Sequence, residues 1–148
     1  MRDRPATVSV DSTFARRGFL LGLGAAAAAL VTSRAWAGSY LDRAALLATQ
    51  ASRDADYLRD RLSDQELALV VHRLAIARVK SASTMKVPKE VAQAHPHLLL
   101  LLENFERAAD AAVAGEHGRF FSYVQLAREE LAVFRGVLKQ LGWTLPTY

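Results

Sequence analysis

The side chains in this sequence best suited to bind a metal ion or a haem are four histidines: His72, His95, His97 and His117. A neutral imidazole nitrogen binds transition metals, and the ring changes charge near neutral pH. The chain has no cysteine. Disulfides, thiolate metal sites, iron–sulfur clusters and covalent haem attachment through Cys-x-x-Cys-His are therefore excluded. Whether any cofactor is bound stays open, with a metal or a haem as the candidates.

His72 lies in an apolar segment, between Leu69 and Ile76. Helical rises place it near the level of Asp54 in the preceding helix and Glu106 in the following one. A buried histidine–carboxylate pair, a metal site or an axial haem ligand would each fit this position. The paired Glu-x-x-His pattern of di-iron bundles does not occur in the sequence. A hydrogen-bonded core histidine is the simplest interpretation.

His95 and His97 are separated by one proline at the start of a long predicted helix. Together they could hold an exposed copper or nickel ion, with Met85 or Glu90 from the preceding loop. The alternative is a helix start with two solvated histidines. His117 follows the end of the same helix, about 30 Å away. One site that uses all four histidines is therefore excluded within a monomer.

Catalytic motifs are missing from the sequence. It contains no Gly-rich phosphate loop, no nucleophile elbow and no His-Glu-x-x-His motif. Glu103, Glu106 and Asp110 share one helix face, and Glu129 and Glu130 lie on the last helix. Such carboxylates usually form a solvated stripe paired with arginines. The sequence therefore predicts a protein that is not an enzyme.

Two helices are predicted by apolar residues that recur in alternating steps of three and four, a spacing typical of a coiled-coil seam. The seam of the first helix is Leu41, Ala44, Ala48, Ala51, Ala55, Leu58 and Leu62. The seam of the last helix is Phe120, Val124, Ala127, Leu131, Phe134, Leu138 and Leu141. Glycine at 142 is expected to end the last helix.

The second and third helices are predicted from their start signals. Ser63 and Glu66 form a capping-box pattern, which starts the second helix near Asp64. Apolar residues surround most of this helix, so we expect it to be the most buried of the four. Pro96 suits the first turn of the third helix. That helix carries five consecutive leucines, 98–102.

Residues 38–148 are therefore expected to form one all-α domain, an antiparallel up-down-up-down four-helix bundle. No strand-like alternation occurs in the sequence. The leucine run, the apolar second helix and the aromatic residues Phe120, Phe121 and Tyr123 exceed what a bundle of this size readily covers. We therefore expect some apolar helix surface to contact a protein partner or to form a homodimer.

Residues 1–37 have the three parts of a cleavable signal peptide. The start is charged, the run 18–31 is apolar, and Ala35 and Ala37 supply the small residues before a cut between Ala37 and Gly38. A membrane anchor is the alternative, but it needs about 20 apolar residues. Here the sequence 32–34, Thr-Ser-Arg, interrupts the run, so no stable membrane anchor is expected.

The residues Arg16, Arg17, Phe19 and Leu20 resemble the core of the twin-arginine (Tat) export signal. Ala15 and the residue after Leu20 depart from the usual serine or threonine and lysine, and an ordinary secretory signal is the alternative. The resemblance implies that the Tat machinery delivers the protein, already folded, to the periplasm. It also hints at a bound cofactor or a complex formed before export.

The leader also explains most of the net charge of +4. It holds five basic and two acidic residues, which leaves 14 basic and 13 acidic residues in the remainder. The predicted mature domain is therefore close to neutral, with a net charge of +1. Since a basic surface is the main sign of nucleic-acid binding, no nucleic-acid partner is expected.

Overall fold

The computed structural model describes the backbone from residue 15 to residue 148 and the side chains from residue 37 onward. It contains the four α-helices α1 (Ala15–Arg59), α2 (Gln65–Ser83), α3 (His95–Val113) and α4 (His117–Gln140), and a short 3-10 helix, Lys89–Val91. No strand occurs in residues 15–148. The prediction of an all-α chain with four helices is confirmed.

The predicted leader lies almost entirely outside the part of the chain whose side chains are described. The side chains described begin at residue 37, so they do not include Arg16, Arg17, Phe19, Leu20 and Ala35. The export motif therefore stays a prediction. The predicted cleavage site, Ala37-Gly38, lies inside α1, and Ala37 is buried. Residues 36–148 form one compact unit. Among the described residues, no helix is long and apolar enough to cross a membrane.

The helix starts follow from local chemistry. Asp64 is the N-cap of α2, and its Oδ1 accepts a hydrogen bond of 2.9 Å from the Leu67 N–H. The predicted start near Asp64 is confirmed, but the cap is Asp64 and not Ser63. A carboxylate at this position satisfies a free N–H of the first turn and interacts favourably with the helix dipole. Pro96 lies in the first turn of α3, as predicted.

Two glycines end α3 and α4 in the same way. Gly115 has φ +73° and Gly142 has φ +81°, a left-handed conformation that glycine adopts without steric cost. At α3, the Glu116 N–H donates to the Ala111 carbonyl at 2.8 Å. At α4, the Trp143 N–H donates to the Leu138 carbonyl at 2.9 Å. Both are Schellman motifs, in which the returning chain satisfies the last carbonyls of the helix.

The seams predicted for α1 and α4 face the core. On α1 every predicted position is buried, and Leu62, the last residue of the predicted seam, lies in the turn after the helix and is partly buried. On α4 the predicted positions are buried except Leu131, which is partly buried, as is Leu141 just after the end of the helix. The many alanines of α1 let large side chains from the other helices pack closely against it. Periodicity therefore identified the inner faces of these two helices.

The prediction that the second helix is the most buried of the four is wrong. Its buried residues are small or medium in size: Ala68, Val71, Ala75 and Ala82. Of the three helices whose side chains are all described, α3 is the most buried, and its interior side carries large side chains, namely Leu98, Leu101, Leu102 and Phe105, together with Asn104 and four alanines. A helix that is apolar on most sides does not reveal which side faces inward, and in α2 the inward side is the one with small residues.

Candidate functional site

His72 on α2 contacts α3. Its Nε2 lies 3.0 Å from Glu106 Oε1 and 4.0 Å from Asp110 Oδ1. The ring is mostly buried, whereas Asp110 is largely exposed. The sequence placed His72 near both Glu106 and Asp54, and the structure confirms the first of these. Asp54 instead accepts a hydrogen bond from Arg78.

His95, at the start of α3, contacts α1. Its Nδ1 is hydrogen-bonded to the Tyr40 hydroxyl at 3.1 Å, and the two rings meet edge to face with centroids 5.8 Å apart. Desolvation by burial lowers the pKa of His95 and raises the pKa of Tyr40 to about 12. Both shifts have the same cause, because burial disfavours the charged form of each group. The contact is therefore one between neutral groups.

His97 contacts α4 instead. Its Nδ1 lies 3.0 Å from Glu130 Oε2, with both side chains partly exposed. His117 is the first residue of α4 and is exposed. His95 and His97 therefore do not share a partner, although they are only two residues apart. Met85, suggested as an additional ligand, packs against the hydrophobic core.

No group of three or more histidines and carboxylates is arranged to hold a metal ion within the described part of the chain. Each of His72, His95 and His97 joins two helices through one hydrogen bond. What their geometry provides directly is a set of hydrogen-bonded contacts between helices.

Sequence reasoning did not find two of the histidine partners. Glu130 was grouped with Glu129 in a solvated stripe, and Tyr40 lies just after the predicted cleavage site. A helical wheel of α4 places residue 130 beside the buried seam positions Ala127 and Phe134. This position was the only sign in the sequence that Glu130 faces another helix, and it does not indicate which residue of that helix Glu130 contacts.

Four side-chain contacts, each between a carboxylate and an arginine or a histidine, link the four helices in sequence and join the last helix to the first. They are Arg78–Asp54 at 2.6 Å (α2 to α1), His72–Glu106 at 3.0 Å (α2 to α3), His97–Glu130 at 3.0 Å (α3 to α4) and Arg128–Asp56 at 2.7 Å (α4 to α1). The least exposed of these side chains is Arg78, at 12%. Since most of these side chains are partly exposed, each pair is expected to add little to stability.

The space between the helices is small. The cavity beside Arg78 and Asp54, lined by Ala75, Phe105 and other core residues, measures about 10 Å³. That volume holds at most one water molecule, so packing leaves no room there for a haem. A larger cleft of about 510 Å³ lies open at the surface, lined by Arg43, Leu46, Leu47, Ser81, Thr84, Met85 and Lys86.

The most unusual surface of the described domain is the outer side of α2. Four large aliphatic side chains lie there within eight residues, with exposed fractions between 40% and 54%: Leu69, Val70, Leu74 and Ile76. The inward positions of the same helix are occupied by alanines and one valine. The fully buried residues of the helix are thus small or medium in size, and four of its large aliphatic residues are exposed, while Leu67 and Val79 are partly buried against the core.

Comparison with known proteins identifies no relative: no protein-family model, no curated protein and no solved structure matches the chain.

Proposed function

We propose that this protein is an exported, non-enzymatic binding or accessory subunit that associates with a protein partner, or with itself, through the outer side of α2. The observation that carries the proposal is the exposure of Leu69, Val70, Leu74 and Ile76 on one helix. Scattered exposed apolar residues are normal in proteins, but four large ones within eight residues of one helix mark a surface that another molecule covers.

Energetics supports the same conclusion. Burial of apolar surface contributes roughly 25 cal/mol per Å². A helix that needs only to complete its own fold gains most when its largest aliphatic side chains face the core. In α2 the core receives Ala68, Ala75 and Ala82, while Leu74 and Ile76 remain in water. Folding alone therefore leaves these side chains partly in water, and a partner that covers them would gain the free energy of their burial.

Export by the twin-arginine route belongs to the same proposal. Its support is the motif Arg16, Arg17, Phe19 and Leu20 and the small residues Ala35 and Ala37 before Gly38. Delivery to the periplasm after folding suits a protein whose binding surface is complete only in the folded state, since α2 presents that surface through its packing against α3.

The proposed architecture is an up-down-up-down bundle in which each helix runs opposite to the next. Its support is the set of four side-chain contacts described above, which join each helix to the next one in the chain and α4 to α1. The short connections, 60–64 and 114–116, also favour antiparallel neighbours.

Export is tested by fractionating cells that make the full chain. Replacing both arginines of the motif by lysine (Arg16→Lys with Arg17→Lys) is expected to leave the protein uncleaved in the cytoplasm. The matched control is Arg2→Lys with Arg4→Lys, which keeps the same charge and leaves the motif intact. Equal periplasmic amounts of the two double variants would show that the twin arginines are not read.

Binding is tested by a pair of matched valines. Val70→Glu introduces a charge on the outer side of α2, and Val133→Glu does the same on an exposed position of α4. The tagged protein, recovered from its own compartment, is expected to lose its bound partner or second copy only with Val70→Glu. Retention by both variants, with circular dichroism showing that both fold, would contradict the proposal.

A second candidate is a divalent-cation site at His72. Its support is the position of His72 Nε2, 3.0 Å from Glu106 Oε1 and 4.0 Å from Asp110 Oδ1; because these groups are not arranged as a metal site, a bound ion would have to draw them together. Copper, nickel or zinc would then raise the melting temperature of the protein, and His72→Gln would abolish the increase. His117→Gln, at an exposed histidine, is the control. An unchanged melting temperature with all three metals would end this candidate.

A further inference from the structure

We infer that the occupant of the outer side of α2 is a second copy of this chain, and that the two α2 helices pack antiparallel about a two-fold axis beside Arg73. This inference rests on the proposed function, because it names the partner of the same surface. It has its own evidence, which is the order of charges along the helix.

The outer side of α2 is a stripe of exposed residues at steps of three and four. Three charged residues lie seven apart along its centre: Glu66, Arg73 and Lys80. Since seven residues are almost two full helical turns, the three side chains project in nearly the same direction. Apolar residues lie between and beside them: Leu69, Val70, Ile76 and Ala77.

The three charges have no partner on their own domain. None of Glu66, Arg73 and Lys80 forms an ion pair with another residue among those described, although nine such pairs occur there. All three are exposed. Their opposite signs at the two ends of the stripe give the surface a direction, with the negative end first.

That direction selects an antiparallel pair. In two antiparallel helices with Arg73 on the axis, residues equally far from position 73 lie at the same level, and those near the centre line face each other. Glu66 then faces Lys80 of the second copy, and the same pair recurs on the other side of the axis. A parallel pair would place Glu66 against Glu66 and Lys80 against Lys80, which is unfavourable. A two-fold axis is also the commonest symmetry of homodimers.

The same register matches the apolar residues. Val70 and Ala77 lie on one edge of the stripe, and Leu69 and Ile76 lie on the other. Across the two-fold axis Val70 therefore meets Ala77 of the second copy and Leu69 meets Ile76, each pair occurring twice, so that apolar side chains pack on both sides of the charged centre. Charge order and apolar order thus agree on one register.

The register also explains why the association is weak. Arg73 faces itself on the axis, and two like charges there oppose binding. A 19-residue helix is about 28 Å long, and one helix pair lies at or below the low end of the roughly 1,200–2,000 Å² buried by stable complexes. The dimer is therefore reversible and its population rises with concentration.

The test is a charge exchange, read by sedimentation equilibrium of the full chain over a range of concentrations. Glu66→Lys and Lys80→Glu each turn two attractive pairs into two repulsive ones, and each is expected to weaken the dimer about tenfold. The double variant restores both pairs with the charges reversed and is expected to bind within about threefold of the original. Lys139→Glu, the same charge change on α4, is the control and leaves the dimer unchanged.

Arg73→Leu gives a second result of opposite sign. Removing the like charges from the axis is expected to tighten the dimer about tenfold. This gain cannot arise from a variant that merely fails to fold.

A wild-type chain that stays monomeric at every concentration, or a double variant as weak as the single ones, would overturn the inference. The proposed function would still stand if Val70→Glu, and not Val133→Glu, released a different protein partner. If neither variant released anything, both would fall.

Discussion

α3 and α2 are both rich in aliphatic residues, equal in length at 19 residues, and placed side by side, yet they use those residues in opposite ways. On α3 the leucines at 98, 101 and 102 are completely or almost completely buried. On α2 four large aliphatic residues are exposed, and the fully buried positions hold three alanines and one valine. The first pattern serves the fold, and the second is the basis for the proposed contact with another molecule.

The comparison shows that apolar content does not measure how deeply a helix is buried. What matters is the size of the residues on the side that faces the core. An alanine side chain fills little of the core, whereas a leucine or phenylalanine fills much of it and stabilises more. Burial is therefore a property of the face of a helix, and α2 has two apolar faces with different roles.

The largest expected effect comes from the core of α3. Leu101→Ala removes a fully buried side chain and is expected to lower the free energy of unfolding by about 3 kcal/mol, because the neighbours cannot fill the cavity. Leu74→Ala on α2 should lower it by about 0.5 kcal/mol or less, since that side chain is almost half exposed. Urea denaturation measures both. Equal losses would mean that the two helices do not differ in the way described.

The next effect concerns how the inner side of α2 is held. Arg78 bonds Asp54 at 2.6 Å in a mostly buried setting, and Arg119 bonds Glu116 at the same distance in an exposed one. Arg78→Ala is expected to cost about 1–2 kcal/mol, because it leaves Asp54 without its partner. Arg119→Ala should cost at most about 0.5 kcal/mol. Thermal unfolding of the two variants distinguishes them, and equal shifts in melting temperature would contradict the role given to burial.

A smaller, pH-dependent effect comes from the contact between α1 and the start of α3. Burial lowers the pKa of His95, so its contribution to stability is complete above the unfolded value of about 6.5 and is lost as the pH falls through the lower folded pKa. Burial raises the pKa of Tyr40 to about 12. Its contribution is therefore complete below the unfolded value of about 10 and is lost as the pH rises toward the folded one.

Melting temperatures measured from acid to alkaline pH report the loss of stability caused by His95 at low pH and by Tyr40 at high pH. His95→Gln is expected to reduce the decline on the acid side, and Tyr40→Phe the decline on the alkaline side. His117→Gln, at the exposed start of α4, should leave both unchanged. A decline of the same size in all variants would show that other groups cause it.

The smallest expected effect on stability is on the outer side of α2. Val70→Thr nearly preserves the shape of an exposed side chain and should change the free energy of unfolding by less than about 0.5 kcal/mol. Its effect on association should be larger, because the methyl groups that it alters are buried only in the complex. A loss of stability without any loss of association would place Val70 in the fold and not in the interface.

The sequence was sufficient for much of the fold. Steps of three and four identified the inner faces of α1 and α4, Asp64 lay at the predicted start of α2, and Pro96 at the predicted start of α3. These are local signals, and each depends on one helix alone. The direction of α2 depends on which of its two apolar sides fits the space left by the other helices, and one sequence does not contain that information in local form.

The histidine contacts likewise include one that local signals predicted and two that they did not. The contact of His72 with Glu106 followed from helical rise, because both residues lie on adjoining helices joined by a loop of known length. The contacts of His95 with Tyr40 and of His97 with Glu130 depend on the rotation of each helix about its axis. A shift of one residue changes the direction of a side chain by about 100°, which is more than pattern alone can resolve.

The claim on which this account depends is that the outer side of α2 is covered when the protein functions. Since the chain has no cysteine, a single one can report on one position. We would measure the rate at which a maleimide reacts with Val70→Cys and with Val133→Cys as the concentration of the full chain rises. The account predicts that the reaction at position 70 slows with concentration while the reaction at position 133 does not change. Equal and constant rates at both positions, in the purified protein and in its own compartment, would contradict it.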